Sequence, residues 1–337
     1  MVPAIFSSPF SQVHPLKKLI LTNFQSPGDC VMLTAAVRDL HANFPGQFVT
    51  DVRTPYPELW DANPYLTDLD EDEPGVATIE CVYPLIRESN RIPRHFLSGF
   101  TEFLGDYLGI RINPTRFQGD IHLTESELNE PQLPVEVKDL ESDYWLVVSG
   151  GKFDYTIKWW DVDRYQRVAD HFRGRIQFVQ VGAQDHYHPR LKDVVDLVGK
   201  TDLRQLVNLV HHASGVLTPV SLLMHLAAAV PTRPGYPKQR ACVVVAGGRE
   251  PPQWEAYPSH QFLHTVGALS CCDQGGCWKS RTFPRTWLAN RTVRGTIRRG
   301  RLAREPDSGV VDRERSARRD REPTACPAPP WRRWGGT

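Results

Sequence analysis

Residues 214–230, SGVLTPVSLLMHLAAAV, constrain the fold more than any other stretch of this chain. Gly215, Val216 and Leu217 form a short apolar run that Thr218, Pro219 and Ser221 break. Residues 222–230 then have the length and alanine content of a helix with little exposed surface. A helix that starts at the carboxyl end of a parallel strand points unpaired N–H groups into the crevice where open α/β sheets bind ligands. Those groups favour anions. His225 falls near the start of that helix, either as a satisfied core histidine or as a group facing the crevice.

The same strand-turn-helix theme recurs along the chain. Residues 19–24 read as a buried strand, followed by the turn Gln25-Ser26-Pro27-Gly28-Asp29. Met32, Ala36, Leu40 and Phe44 then recur at helical spacing until Pro45-Gly46. Residues 48–52 resemble a second strand, and Asn63-Pro64-Tyr65 a turn. Between 66 and 140 the only clear element is an amphipathic helix within 92–110, with Phe96, Phe100, Phe103, Leu104 and Tyr107 on one side and Arg94 and His95 expected in solvent. The stretch from Asn129 to Pro134 is the best linker. Beyond it come a strand at 145–148, a helix capped by Asp161 and carrying Val162, Tyr165, Val168, Ala169 and Phe172, a strand at 176–181, and a helix at 202–213 with Thr201 as its expected cap. Strands alternating with helices of this length imply an α/β fold with parallel sheets, built twice over.

Composition limits the function classes. The formal charge is +1 overall, but residues 281–337 hold 15 Arg, no Lys and 6 acids, a local +9 that leaves residues 1–280 at −8. A mildly acidic body argues against a nucleic-acid-binding main domain, so any phosphate binding must be local. Seven cysteines without a regular spacing fit a reducing compartment, and the N-terminal segment carries its positive charge after its apolar residues, the reverse of a signal peptide. With no run of some 18 apolar residues to cross a membrane, a cytoplasmic protein is expected. The absence of Gly-x-Gly-x-x-Gly removes a nicotinamide-dependent oxidoreductase.

Two groups of residues could carry chemistry. Asp29 is either a helix cap, worth on the order of 1 kcal/mol, or a general base poised over the cleft at the end of the first strand. Ser149-Gly150-Gly151-Lys152 follows the strand at 145–148, and Thr156-Ile157-Lys158-Trp159-Trp160 follows that turn. Paired glycines admit a phosphate to the backbone and a lysine supplies a point charge, although such turns are also common without a ligand.

The order and spacing of Pro27-Gly28-Asp29, Asn63-Pro64-Tyr65, the 151–160 lysine-tryptophan turn, Gly199-Lys200-Thr201-Asp202-Leu203 and Met224-His225-Leu226-Ala227-Ala228-Ala229 resemble glycosyltransferase family 9, the heptosyltransferases. The likeness covers roughly residues 17–281. It implies a GT-B fold, two Rossmann-like domains facing across a cleft, with residues 1–133 as the acceptor domain and 134–281 as the nucleotide-sugar donor domain. The implied reaction moves a sugar, heptose by analogy, from a nucleotide-diphosphate donor such as ADP-heptose to a hydroxyl of a glycan, lipid core or protein, with inversion and without a required cofactor. Asp29 matches the family's general base, Lys158 its phosphate-contacting lysine, and His225 the histidine beside the diphosphate. Gly28, Gly150, Gly151, Thr156, Asp185, Ser221 and Met224 are expected in the same donor cleft. Where the family carries an Asp-Thr-Gly-like turn before the histidine, this chain reads Val220-Ser221-Leu222.

Cys271, Cys272 and Cys277 place three thiols within seven residues. In the related autotransporter heptosyltransferases such cysteines hold an iron ion, so the resemblance implies structural iron or zinc here, with Cys326 as the remaining thiol; reduced thiols without metal are the alternative. Residues 282–337, rich in arginine and proline, are expected to stand outside the fold as a disordered or out-of-frame tail. Two other functions stay open: a degraded transferase that only binds, or a nucleic-acid or anionic-surface binder acting through the tail.

Overall fold

The computed structural model of the protein describes residues 16–83, 86, 88–129, 133–138 and 143–280. The tail at 282–337, Cys326 and the middle of the expected linker lie outside them.

The first sheet is built on β1, Lys17–Thr22, which leads through Ser26 into α1, Pro27–Asn43. Parallel to β1 on one side runs β2, Phe48–Arg53, and on the other β3, Val76–Glu80, giving the order β2-β1-β3. Leu19, Ile20 and Leu21 are all buried, as a parallel strand covered on both faces requires. Residues 30–40 of α1 are buried without interruption, because α2, Phe96–Leu108, packs on one side and a helix of the second sheet on the other. In α2 the expected apolar face holds for Phe96, Phe100 and Leu104, whereas Tyr107 is exposed.

Two short helices, α3 (Glu125–Asn129) and α4 (Val135–Lys138), lead to the second unit. It runs β4 (Tyr144–Val147), α5 (Val162–His171), β5 (Gln177–Gln180), β6 (Val195–Asp196), α6 (Leu203–His212), β7 (Gly215–Thr218), α7 (Leu222–Ala229), β8 (Ala241–Gly247), α8 (Pro252–Glu255) and β9 (His260–His264). All six strands are parallel, in the order β6-β5-β4-β7-β8-β9. Asp161 caps α5 as expected, its carboxylate accepting the Asp163 N–H at 3.0 Å. The cap of α6 is Asp202 rather than Thr201: its carboxylate accepts the Gln205 N–H at 2.7 Å, and Gln205 reaches back to the Asp202 N–H at 3.0 Å. That reciprocal pair outweighs a lone threonine hydroxyl.

The strand order fixes where a ligand can sit. From β4 the chain winds outward through β5 and β6, then returns to the other side of β4 for β7, β8 and β9. The crevice between the carboxyl ends of β4 and β7 is therefore the switch point of this sheet, and the carboxyl end of the central β1 is that of the other. All the leading site candidates lie on these ends.

The two sheets share one core. Helices α1 and α7 pack directly, and Gly119 lies between them where an added Cβ would come within 2.8 Å of Val31 Cγ1 and 2.9 Å of Ala229 Cβ. An ion pair pins the lobes a second time: Arg204 of α6 donates to both oxygens of Glu127, the Nε to Oε1 at 2.6 Å, and its Nη2 to the His122 carbonyl at 3.0 Å.

Three buried histidines surround Tyr257 where the lobes meet: His95, His225 and His260, with ring centroids 5.0, 5.9 and 5.0 Å from it. His95 is therefore not in solvent. It caps α2, its Nδ1 accepting the Leu97 N–H at 3.1 Å. Burial holds the three rings at about 4, 3 and 4, far below the usual histidine range. Neutral in the folded state, they are protonated in the unfolded chain below about pH 6.5, so their contribution is intact above that pH and is lost as pH falls toward 4. Glu255, raised by burial, acts in the opposite sense but is one group against three. The melting temperature is expected to drop steeply between pH 6.5 and 4, by an equivalent of several kcal/mol; a flat profile through that window would show the rings to be solvated.

Candidate active site

The turn after β1 delivers Gly28 and Asp29 to the lobe interface. Asp29 is not the cap of α1 but lies in its first turn, where its Oδ2 accepts the Ser26 backbone N–H at 2.9 Å. Tyr83 lies close enough to the same carboxylate to lower its pKa. Burial raises the Asp29 pKa, opposed by Tyr83, the Ser26 N–H and the positive charge of Lys158. Gly28 faces His225 across the interface, and a Cβ there would stand 3.0 Å from His225 Cδ2. Residues almost two hundred positions apart thus meet in one place.

His225 is 4% exposed. Its Nδ1 is 2.9 Å from the Tyr257 hydroxyl and its Nε2 is 3.6 Å from Glu255 Oε2. The surroundings are those of a packed core histidine on one nitrogen, with a buried carboxyl facing the other. Burial keeps it neutral, and its coupling to His95, Lys158 and His260 opposes protonation further.

Lys158 ends the 3-10 segment Phe153–Lys158 that leaves β4. Its Nζ lies 2.8 Å from Glu250 Oε1, in the loop after β8, and its charge is felt at Asp29, His225 and Glu255. Asp29, Lys158, His225 and the pair Glu250 and Glu255 are therefore one electrostatic cluster. Burial and the neighbouring Glu250 push the Glu255 carboxyl well above the ordinary carboxylate range.

The remaining candidates divide. Ser221 stands at the N-cap position of α7 without a side-chain capping bond and shares a 2.8 Å hydrogen bond with Thr218 at the end of β7. Met224 is fully buried in the core, so its side chain packs the lobe rather than lining an open surface. The space above Gly150 is filled by protein: a Cβ there would come within 1.8 Å of the Tyr187 carbonyl oxygen. Gly151 pairs with Tyr187 in both directions, N–H to O at 2.8 and 3.1 Å. The glycine pair thus serves loop packing here, bringing the Tyr187 loop onto the β4 turn. Thr156 lies in the 3-10 segment, its carbonyl accepting the Trp159 N–H at 3.1 Å. Asp185 extends into solvent, with its side chain 85% exposed and 3.8 Å from His186 Nε2.

Sequence reasoning missed Arg249, Glu250, Glu255, Tyr83 and Tyr257. The run Val243-Val244-Val245-Ala246-Gly247-Gly248 ahead of Arg249 carries the strand-then-glycine signal already used for β4 and could have flagged the first two. Nothing local marks the others, which are defined only by contacts between residues far apart in the sequence.

Residues 95–234 match the family model of glycosyltransferase family 9 (heptosyltransferase). Over that segment the chain is similar to glycosyltransferase family 9. The matched segment runs from the cap of α2 through α7 and so contains Lys158 and His225, while Asp29 lies before it. Comparison with curated proteins gives no match. Among solved structures, the chain is similar to a family 9 glycosyl transferase from Veillonella parvula DSM 2008, at 14% identity over 75% of this chain and 87% of that one, with a TM-score of 0.58. It is also similar to the ADP-heptose lps heptosyltransferase II of E. coli, at 17% identity over 74% and 90% of the two chains and a TM-score of 0.51. A third is TibC from enterotoxigenic E. coli H10407, an iron-containing dodecameric glycosyltransferase, at 19% identity over 73% of this chain, 62% of that chain and a TM-score of 0.50. At these identities the likenesses establish the fold, which agrees with the two-lobed GT-B expectation, and the match to the family 9 model supports a glycosyltransferase.

The iron of TibC gives the cysteine cluster a direct test. Cys272 is buried and its Sγ lies 3.4 Å from the Thr265 carbonyl oxygen. Burial raises the Cys277 thiol, and the neighbouring Cys271 and Cys272 raise it further. Among the described residues no three His, Cys, Asp or Glu side chains are arranged to hold a metal ion. The three thiols present do not fit an iron or zinc site as they stand, and no step is derived through one. Also among the described residues, no helix is long and apolar enough to cross a membrane.

Proposed function

We propose that the chain is an inverting sugar transferase of the cytoplasm that uses a nucleotide-diphosphate donor. Residues 1–133 hold the acceptor and 134–281 the donor. The observation that carries this reading is the meeting of Gly28 and Asp29 with His225 and Lys158 at the switch points of both sheets. In the reaction, the acceptor hydroxyl gives its proton to the Asp29 carboxylate as its oxygen attacks the anomeric carbon. The bond from that carbon to the diphosphate breaks on the opposite face, and the electron pair leaves with the phosphate, which inverts the centre.

Each participant has a physical reason. Burial raises the pKa of Asp29 and so its basicity, while the Ser26 N–H fixes its orientation. Negative charge builds on the departing diphosphate, and Lys158 with the N–H groups at the start of α7 meets that charge without reorganising. ADP-heptose is the first donor to try, since a heptosyltransferase in this fold is described in complex with ADP-D-beta-D-heptose. The acceptor is a hydroxyl of a glycan, a lipid core or a protein. Free cysteines, six among the described residues, fit a reducing compartment.

Calorimetric titration with ADP tests the donor half. Lys158→Ala is expected to weaken ADP binding by roughly 10- to 100-fold, the worth of a charge-assisted hydrogen bond. Equal ADP affinity in the two proteins would remove Lys158 from the site.

A further inference from the structure

The loop after β8 holds a second cation that the sequence did not single out. Arg249 follows Gly247 and Gly248 at the carboxyl end of β8, next to β7 and on the same edge of the sheet as the start of α7. Its guanidinium is fixed on three sides. It lies over the rings of Tyr155 at 4.9 Å and Trp278 at 5.1 Å, its Nε donates to the Lys279 carbonyl at 3.1 Å, and its Nη1 pairs with Glu250 Oε1.

Lys158 comes to that same Oε1 from the opposite loop, at 2.8 Å. Two cations therefore converge on one carboxylate oxygen. The other oxygen, Glu250 Oε2, is buried and has no hydrogen-bond partner. A carboxylate placed only to neutralise two cations would offer one oxygen to each, so this arrangement leaves half of its acceptor capacity unused in a site where water is excluded. It also sets an ammonium and a planar guanidinium around a point that a single anionic oxygen fills. Phosphoryl groups are recognised by this pairing of a point charge and a fork. Tyr155 ties the two together, since Lys158 Nζ lies 5.8 Å from the ring on which Arg249 stacks. Lys158 keeps 22% of its side chain in solvent and Arg249 12%, against 2% for Glu250, so an anion can approach from the cationic side.

We propose that Arg249 and Lys158 form a two-cation clamp for the donor's diphosphate, and that Glu250 occupies the clamp when no nucleotide is bound. The proposal rests on the donor reading given above and adds a residue and an exchange to it. On binding, a phosphate oxygen takes the place of Glu250 Oε1 between the cations. Glu250 either swings away or keeps one cation through its second oxygen. No bond to carbon or phosphorus is made or broken in this step.

The test is calorimetric titration of the full-length protein with ADP and with AMP, for the wild type and for Arg249→Gln, Arg249→Lys, Glu250→Gln and Lys158→Ala. Arg249→Gln is expected to lose about tenfold or more in ADP affinity and distinctly less in AMP affinity, because the clamp grips the diphosphate. Arg249→Lys restores the charge and most of the ADP affinity. Glu250→Gln removes the internal competitor and binds ADP more tightly than wild type. The proposal is overturned if Arg249→Gln binds ADP like wild type or loses ADP and AMP equally, or if Glu250→Gln binds ADP no better. Should Arg249→Gln fail to fold, the lysine and Glu250 variants decide the matter alone. Lys158→Ala separates the two levels: a loss of ADP binding there without one in Arg249→Gln rejects the clamp and leaves the donor site standing, whereas no loss in either rejects the donor site itself.

Discussion

Asp29→Asn is expected to lower kcat for sugar transfer by about 10²- to 10⁴-fold, the contribution of a general base, while ADP affinity stays within about threefold of wild type. The amide keeps the volume of the side chain, and its carbonyl oxygen can still accept the Ser26 N–H now held at 2.9 Å, so α1 keeps its first turn. What it loses is the ability to take a proton from the acceptor hydroxyl. The separation of the two readouts is the essential point, because Asp29 stands on the lobe opposite Lys158 and the proposed mechanism gives it no part in holding the diphosphate. A variant that loses ADP binding together with turnover would show Asp29 to be structural. Donor consumption followed by release of free ADP, with the acceptor saturating, measures the first quantity, and calorimetry the second.

The second large effect is on stability. Arg204 is 15% exposed and Glu127 8%, and the pair is joined by charge-assisted bonds that draw the Glu127 carboxyl down to about 2. Asn208 also donates to Glu127 Oε1, at 2.9 Å. Removing one partner leaves the other charged and buried. Arg204→Ala is therefore expected to cost about 3–5 kcal/mol, more than Arg204 and Glu127 replaced together by apolar residues of similar size. Because the pair connects α6 of one lobe to α3 of the other, the loss falls on the seam that brings Asp29 to Lys158. Urea unfolding of the single and double variants gives the coupling directly. A double variant as unstable as the sum of the two singles would show that the two residues act independently.

Most of the architecture was legible because hydrophobic period and turn chemistry agree along the chain. The β1-α1, β4-α5 and β7-α7 units each show an apolar run, a break rich in glycine, serine or proline, and a helical repeat. Where those signals are weak, the reading failed for identifiable reasons. The β3 strand reads Val-Ala-Thr-Ile-Glu and buries only Ile79, so it lacks both a continuous apolar run and a clean alternation. The β6 strand is two residues long. His95 reads as a surface group beside Arg94 at the start of the helix; it packs against Phe117 and Tyr257, one of them on the other lobe.

The site shows the same division. Asp29 and His225 could be picked out because each follows a strand end where ligands bind in α/β sheets, and Lys158 through its match to family 9. Their chemical setting was not legible. Glu255 gives no local sign that it will face His225 Nε2, and the same holds for Tyr83 against Asp29. Gly150 illustrates the reverse error: a glycine that invites a phosphate in sequence is required by the Tyr187 carbonyl in the fold. Long-range packing decides such cases, and a single chain read in order does not contain it.

The account depends on Asp29 from one lobe and Lys158 from the other serving a single nucleotide-sugar site. A structure of the protein with ADP bound tests this most directly. The diphosphate is expected between Lys158 and the first turn of α7, with the Asp29 carboxylate across the cleft on the side where the sugar would extend. ADP found elsewhere on the molecule, or bound with Lys158 still held by Glu250 and out of reach of the phosphates, would contradict it.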